Sequence, residues 1–130
     1  MFSVLPLIFG LNLTSAQAAP IGPTVVLIVP GWGMGTGPYL PMAATLQAQG
    51  YDVRTLALAG QNPVGDSYAI AGTVNAIRAA DPHRRIALVG HSVGGLSARH
   101  YLKVLGGHSS VETYVAVGTP QYGVSRSCPD

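Results

Sequence analysis

Charge is scarce in this sequence. Asp, Glu, Lys and Arg make up 9% of its 130 residues, low for a soluble protein. Apolar residues make up 48%, and strands covered on both faces read as continuous apolar runs, which fits both figures. The 7 Lys and Arg are scattered, only Arg84 and Arg85 being adjacent, with a net charge of +2. No basic stripe forms, so nucleic-acid binding has little support. There is 1 cysteine, Cys128, which excludes a disulfide framework within the chain. No Cys/His spacing of the metal-binding kind occurs, and no metal or organic cofactor is implied. Cys128 is either a free thiol or pairs with a cysteine beyond Asp130. No apolar run reaches the roughly 20 residues that span a bilayer, and no internal repeat is visible. The length suits one domain.

What is present begins with a mostly apolar stretch, Val4 to Leu13. Ala16-Gln17-Ala18 follows as a small-x-small cleavage site before Ala19 and Pro20. This is the pattern of an export signal over residues 1–18, with the domain over 19–130. It departs from the pattern in having no Lys or Arg ahead of the apolar stretch. A buried first strand is the other reading, and Pro6 and Gly10 speak against it. A secreted protein is expected, with membrane or lipid-interface contact at most peripheral.

Beyond residue 23 strand-like and helix-like segments alternate. Thr24 to Val29 is a β-branched run closed by Pro30-Gly31. Pro38 opens a helix to Gln49, with Gly50 as its stop. Asp52 to Leu58 reads as a strand and Gly60 to Gly65 as a loop. Asp66 is read as the N-cap of a helix reaching Ala80. Arg85 to Val89 is a third strand and Val93 to Leu105 a third helix, stopped by Gly106-Gly107. Val111 to Val117 is a fourth strand. Such alternation predicts an α/β fold: a parallel β-sheet flanked by helices, three layers α/β/α, with ligand chemistry at the carboxyl ends of the strands.

Gly90-His91-Ser92-Val93-Gly94 fits G-x-S-x-G, with Gly95 extending it. The pattern is short, but it follows a predicted strand and opens a predicted helix, which is the context of a nucleophile elbow. The turn forces Ser92 into a strained conformation with Oγ exposed, and Gly90 and Gly94 let strand and helix approach. The bland reading is a glycine-rich turn with a capping serine. An oxyanion hole needs two donors. The Val93 N–H is one, and the loop Pro30-Gly31-Trp32-Gly33-Met34-Gly35-Thr36-Gly37 supplies the other, assigned to the Trp32 N–H. The alternative is a flexible turn in which Trp32 serves packing. Tyr39, Leu40 and Met42, with Leu58 to Val64, are expected to line an acyl pocket.

Ile86 to Arg99, with the elbow at its centre, resembles the same stretch of the bacterial lipase class 2 family. Val117-Gly118-Thr119-Pro120 with Gly123 resembles the G-T-P-x-x-G segment those lipases carry after the next strand. The resemblance runs from Thr24 to about Ser125. It implies an α/β-hydrolase core and an extracellular ester hydrolase acting on acylglycerols or shorter esters. One departure is Pro30-Gly31 where such lipases have His-Gly; Pro30 keeps the bend but lacks the imidazole that helps order the loop.

A serine nucleophile needs a base, oriented by a carboxylate, in the chain order Ser, Asp or Glu, His. His91 is turned away from Oγ by the elbow. His100 lies about 12 Å down the helix. His108 and His83 belong to the opposite sheet edge, about 20 Å or more away. Asp52, Asp81 and Glu112 precede strands and share that edge. Asp66 and Asp130 are on the Ser92 side, the first read as a cap and the second as the final residue. The acid and base of a triad are thus absent from this chain. Two expectations follow: the sequence is an N-terminal piece of a hydrolase, or it is a degenerate homologue that binds without turnover. A different acyl-transfer enzyme on the same scaffold, an acyltransferase or amidase, also fits.

Overall fold

The computed structural model describes residues 22–123; the expected export signal, Cys128 and Asp130 lie outside them. Four parallel strands form one sheet: β1 (Val25–Val29), β2 (Asp52–Thr55), β3 (Ile86–His91) and β4 (Thr113–Val117), in the order β2-β1-β3-β4. Three helices connect them, α1 (Leu40–Ala48), α2 (Pro63–Ala80) and α3 (Val93–Val104). The expected α/β class and the three layers are what is observed.

Side-chain alternation along the strands divides the core in two. Val25, Leu27 and Val29 of β1 with Ile86 and Leu88 of β3 face α2 and α3, packing on Ile70, Val74, Ile77, Ala98 and Tyr101. Val26 and Ile28 face the other way, onto Tyr39, Met42, Ala43 and Leu46 around α1. Only β1 is buried at every position. On the α1 side no described helix covers β3 and β4, leaving Val115 and Val117 45% and 39% exposed. The sequence expectation of strands covered on both faces therefore holds for the centre of the sheet and not for β4.

Register sets up the site. Val29 of β1 pairs with Gly90 of β3, and His91 with Val117 of β4. The chain moves from β1 to β2 on one side, then crosses back to β3 on the other. The crevice where that direction reverses lies between the carboxyl ends of β1 and β3, the place where open α/β sheets bind ligands.

Several boundaries differ from the sequence reading, and one changes a residue's role. α2 starts three residues before Asp66. Its cap is Asn62, whose side chain accepts the Gly65 N–H at 3.0 Å, with Pro63 in the first helical position. Asp66 is thus inside the first turn and is not the cap. Asn62-Pro63 was the available signal, a preferred capping residue followed by a proline whose missing N–H costs nothing there. Asn62→Ala is expected to lower stability by about 1 kcal/mol, measured by urea unfolding. β2 ends at Thr55, short of Leu58: Leu56 N–H makes a last bond to Ile28 O at 2.9 Å, and the chain then bends so that Leu58 N–H reaches Leu56 O at 3.0 Å. The helix predicted from Pro38 begins as a 3₁₀ turn, Gly37–Tyr39.

Candidate active site

The site is built from two backbone segments that meet in the β1–β3 crevice. The first is the turn from β3 into α3. Ser92 has φ 51° and ψ −126°, the one positive φ outside glycine among the described residues. Such a conformation strains any residue with a Cβ. It is held on both sides: Ser92 N–H donates to Val117 O at 2.9 Å, and Gly95 N–H to Ser92 O at 3.1 Å.

The glycines around Ser92 are required by contact. A Cβ on Gly94 would run into the carbonyl oxygens of Val29 and Pro30, both at the end of β1. A Cβ on Gly90 would sit 2.8 Å from Gly95 N. At Gly95 it would meet the Thr119 side chain, whose Cβ would be 2.7 Å away. Thr119 belongs to the Gly118-Thr119-Pro120 segment, so that segment's place is against the elbow. Arg99 of α3 donates to Gln121 O at 2.8 Å and fixes the same stretch.

The second segment is the loop after β1. Gly31 lies against Ser92: a Cβ there would be 3.1 Å from Ser92 Cβ and 3.1 Å from His91 Nδ1. Gly31 N–H donates to the buried Tyr39 hydroxyl at 2.8 Å, which also lies 2.8 Å from His91 Nδ1. Gly33 N–H donates to Ala59 O at 2.8 Å. Gly60 packs so closely that a Cβ would be 2.7 Å from Gly31 O and 3.0 Å from Trp32 N. Between these ties, Trp32 N–H has no hydrogen-bond partner among the described residues, and neither has Val93 N–H, in the first position of α3. The Trp32 side chain is 60% exposed, so it takes no part in the core of the described residues.

The expected lining of an acyl pocket is corrected at Tyr39. Tyr39 does not line a pocket: it is 4% exposed beneath the loop, and Met42 packs with it on the sheet. Leu40 is 65% exposed. A groove of about 930 Å³ opens instead between α3 and β4, lined by Leu102, Val111, Tyr114 and Tyr122 among others, and Ser92 does not border it.

The histidines and acids lie where the strand and helix directions put them. His91 is engaged with Tyr39, His100 Nδ1 lies 2.9 Å from the Ser67 hydroxyl, and His108 Nδ1 lies 3.2 Å from Leu102 O. His83 sits in the turn before β3, at the opposite sheet edge. Asp52 pairs with Arg54 and Arg84 at 2.9 and 3.1 Å, and the Arg54 hydrogen bond holds its carboxyl below the usual range. Asp66 remains on the Ser92 side. Burial pushes its carboxyl up while the Gly60 N–H works against the shift, and its Oδ2 has no partner among the described residues. No described histidine or carboxylate hydrogen bonds with Ser92. Among the described residues no cluster of His, Cys, Asp or Glu is suited to a metal, and no helix is long and apolar enough to cross a membrane.

A serine of positive φ at the end of β3 thus lies against Gly31 of the loop after β1, and the Trp32 and Val93 N–H groups nearby in the chain have no partner among the described residues. Comparison with known proteins bears on the fold. The profile of one family, described as alpha/beta hydrolase fold, matches residues 24–126. Among solved structures, the mature form of the Bacillus licheniformis lipase BlEst2 is similar, with TM-score 0.70 and 23% identity over 85% of this chain and 46% of that one. Its propeptide form gives TM-score 0.69 and 23% identity, over 83% of this chain and 24% of that one. The chain therefore spans about half the length of the mature lipase. No curated protein matches the chain.

Proposed function

The chain belongs to the alpha/beta hydrolase fold family, and on that premise we propose that it hydrolyses carboxylic esters through a covalent acyl-enzyme on Ser92. The backbone of Ser92, at φ 51°, carries the reading. A merely capping serine has no need of that strain, whereas a nucleophile lifted clear of strand and helix does.

In the proposed reaction Ser92 Oγ attacks the ester carbonyl carbon and its proton passes to a base. The carbonyl electron pair moves onto oxygen, where the Trp32 and Val93 N–H groups hold the oxyanion. The pair returns, the C–O bond to the alcohol breaks, and the alcohol leaves with the proton from the base. Water then releases the acid by the same steps. The mechanism requires a base within about 3 Å of Oγ, and it is assigned to a residue outside 22–123. The likeness of the Gly90–Gly95 and Gly118–Gly123 segments to class 2 lipases favours acylglycerols or shorter lipid esters. The apolar stretch before Ala16-Gln17-Ala18 favours an exported protein.

One observation favours a second reading, a binding homologue without turnover: no described histidine reaches Ser92. A fluorophosphonate probe separates the two. Incubated with the protein expressed from its own reading frame, it is expected to leave one adduct, mapped by mass spectrometry to Ser92. The enzyme reading is abandoned if the serine stays unmodified and p-nitrophenyl esters of every chain length are left intact. Cleavage of amides in preference to esters would move the proposal to an amidase.

A further inference from the structure

We propose that Tyr39 is a positioning residue for this reaction, its hydroxyl setting the oxyanion loop against the nucleophile turn; the proposal rests on the Ser92 reading above. The argument is a count of hydrogens. A phenolic hydroxyl has one proton to give and lone pairs to receive. Gly31 N–H donates to Tyr39 Oη at 2.8 Å, so the proton must go elsewhere. Two acceptors lie near, His91 Nδ1 at 2.8 Å and Met34 Sδ at 3.4 Å. The imidazole nitrogen is closer, and a thioether is a weak acceptor. The hydroxyl therefore bridges Gly31 and His91, with His91 Nδ1 assigned as the acceptor on that ground.

Those two residues immediately precede the two that matter: Trp32, whose N–H faces the oxyanion, and Ser92, whose oxygen attacks. A single oxygen thus fixes the spacing between donor and nucleophile. The tie is rigid because Tyr39 is 4% exposed and its ring meets His91 edge-on, centroids 5.7 Å apart at 64°. It also occupies the Gly31 N–H, which leaves Trp32 as the loop's free donor on that side.

Loss of an oxyanion donor costs about 10²–10³ in kcat, and a misplacement near 1 Å costs about 10². Tyr39→Phe keeps the ring and removes the bridge. In the protein expressed from its own reading frame, well below its Tm, kcat for p-nitrophenyl butyrate is expected to fall roughly 10–100-fold, with KM changed less than about twofold. Gly31 amide exchange should quicken in parallel. A purely structural tyrosine would lower Tm and leave kcat alone, and that result overturns the proposal. Should Tyr39→Phe fail to fold, His91→Leu removes the acceptor and leaves the Gly31 bond in place. Its kcat should fall while His91→Gln, which restores an acceptor, recovers most of it; unchanged kcat in His91→Leu overturns the proposal equally. The two failures are distinct: an unsubstituted protein that hydrolyses no ester defeats the Ser92 reading and the tether with it, whereas full turnover in Tyr39→Phe defeats the tether alone.

Discussion

Ser92→Gly should yield a protein that is more stable than the parent and unable to form a covalent adduct. A φ of 51° with ψ −126° costs a residue bearing a Cβ about 1–3 kcal/mol, and glycine is free of that cost. Glycine gives back about 0.5–1 kcal/mol through the greater freedom of the unfolded chain. The balance favours the variant by about 1 kcal/mol, a rise in Tm of roughly 4 °C for a domain of this size. Ser92→Ala is the companion that separates backbone from hydroxyl. It keeps the Cβ and the strain, so its stability should stay near the parent's while adduct formation is equally lost. The measurement is urea unfolding of the three proteins beside fluorophosphonate labelling. If glycine and alanine unfold alike, the turn stores no strain, and the reason for choosing Ser92 as nucleophile over an ordinary capping serine goes with it.

The elbow could be read from the sequence because its constraints are local. Strand, turn and helix follow one another within Ile86–Val104, and the need for small residues is written at Gly90 and Gly94. The place of the loop that carries Trp32 was legible for a similar reason: a loop after the first strand, rich in glycine, has to pass near the elbow in a parallel sheet. What the sequence concealed depends on distant pairs. Tyr39 and His91 are far apart in the chain, and an aromatic residue at the start of a helix looks the same whether it lines a pocket or props a loop. Its burial follows from the register of β1 against β3, which no local pattern reveals. Pro30 shows the other side of this. It takes from the loop after β1 the imidazole expected to order it, yet the loop is tied by the Tyr39 hydroxyl, by Ala59 and by the close approach of Gly60. Asp66 was misplaced for a third reason. Both Asn62 and Asp66 are acceptable caps by type, and the deciding residue was Pro63, whose fixed φ suits the first helical position.

One substitution, glycine to alanine, should act in opposite directions at two helical positions, and the contrast tests how the elbow is packed. Gly72 lies exposed in α2 and a Cβ there meets nothing within 4 Å. Alanine should stabilise the helix by about 0.5–1 kcal/mol, the ordinary difference in helix propensity. Gly94 lies buried in the first turn of α3, and its Cβ would overlap the Val29 and Pro30 oxygens, with Val29 C at 2.8 Å. Propensity favours alanine there as well, but the obstructing atoms are backbone at the end of β1, the fully buried centre of the sheet. They cannot turn aside as a side chain can. To make room, α3 must lift from β1, which separates the elbow from Gly31 and loosens the packing of Ala98 and Tyr101. Overpacking of a tight core costs about 1–3 kcal/mol and occasionally more, and this site belongs at the upper end. Gly94→Ala should therefore lose at least about 3 kcal/mol in urea unfolding, or fail to fold, while Gly72→Ala gains. Fluorophosphonate labelling of any folded Gly94→Ala protein should be slowed as well, since the displaced turn carries Ser92 away from the loop. Equal and favourable effects at both positions would mean that α3 does not press on β1, and the crevice between β1 and β3 would lose the geometry on which the proposed ester chemistry depends.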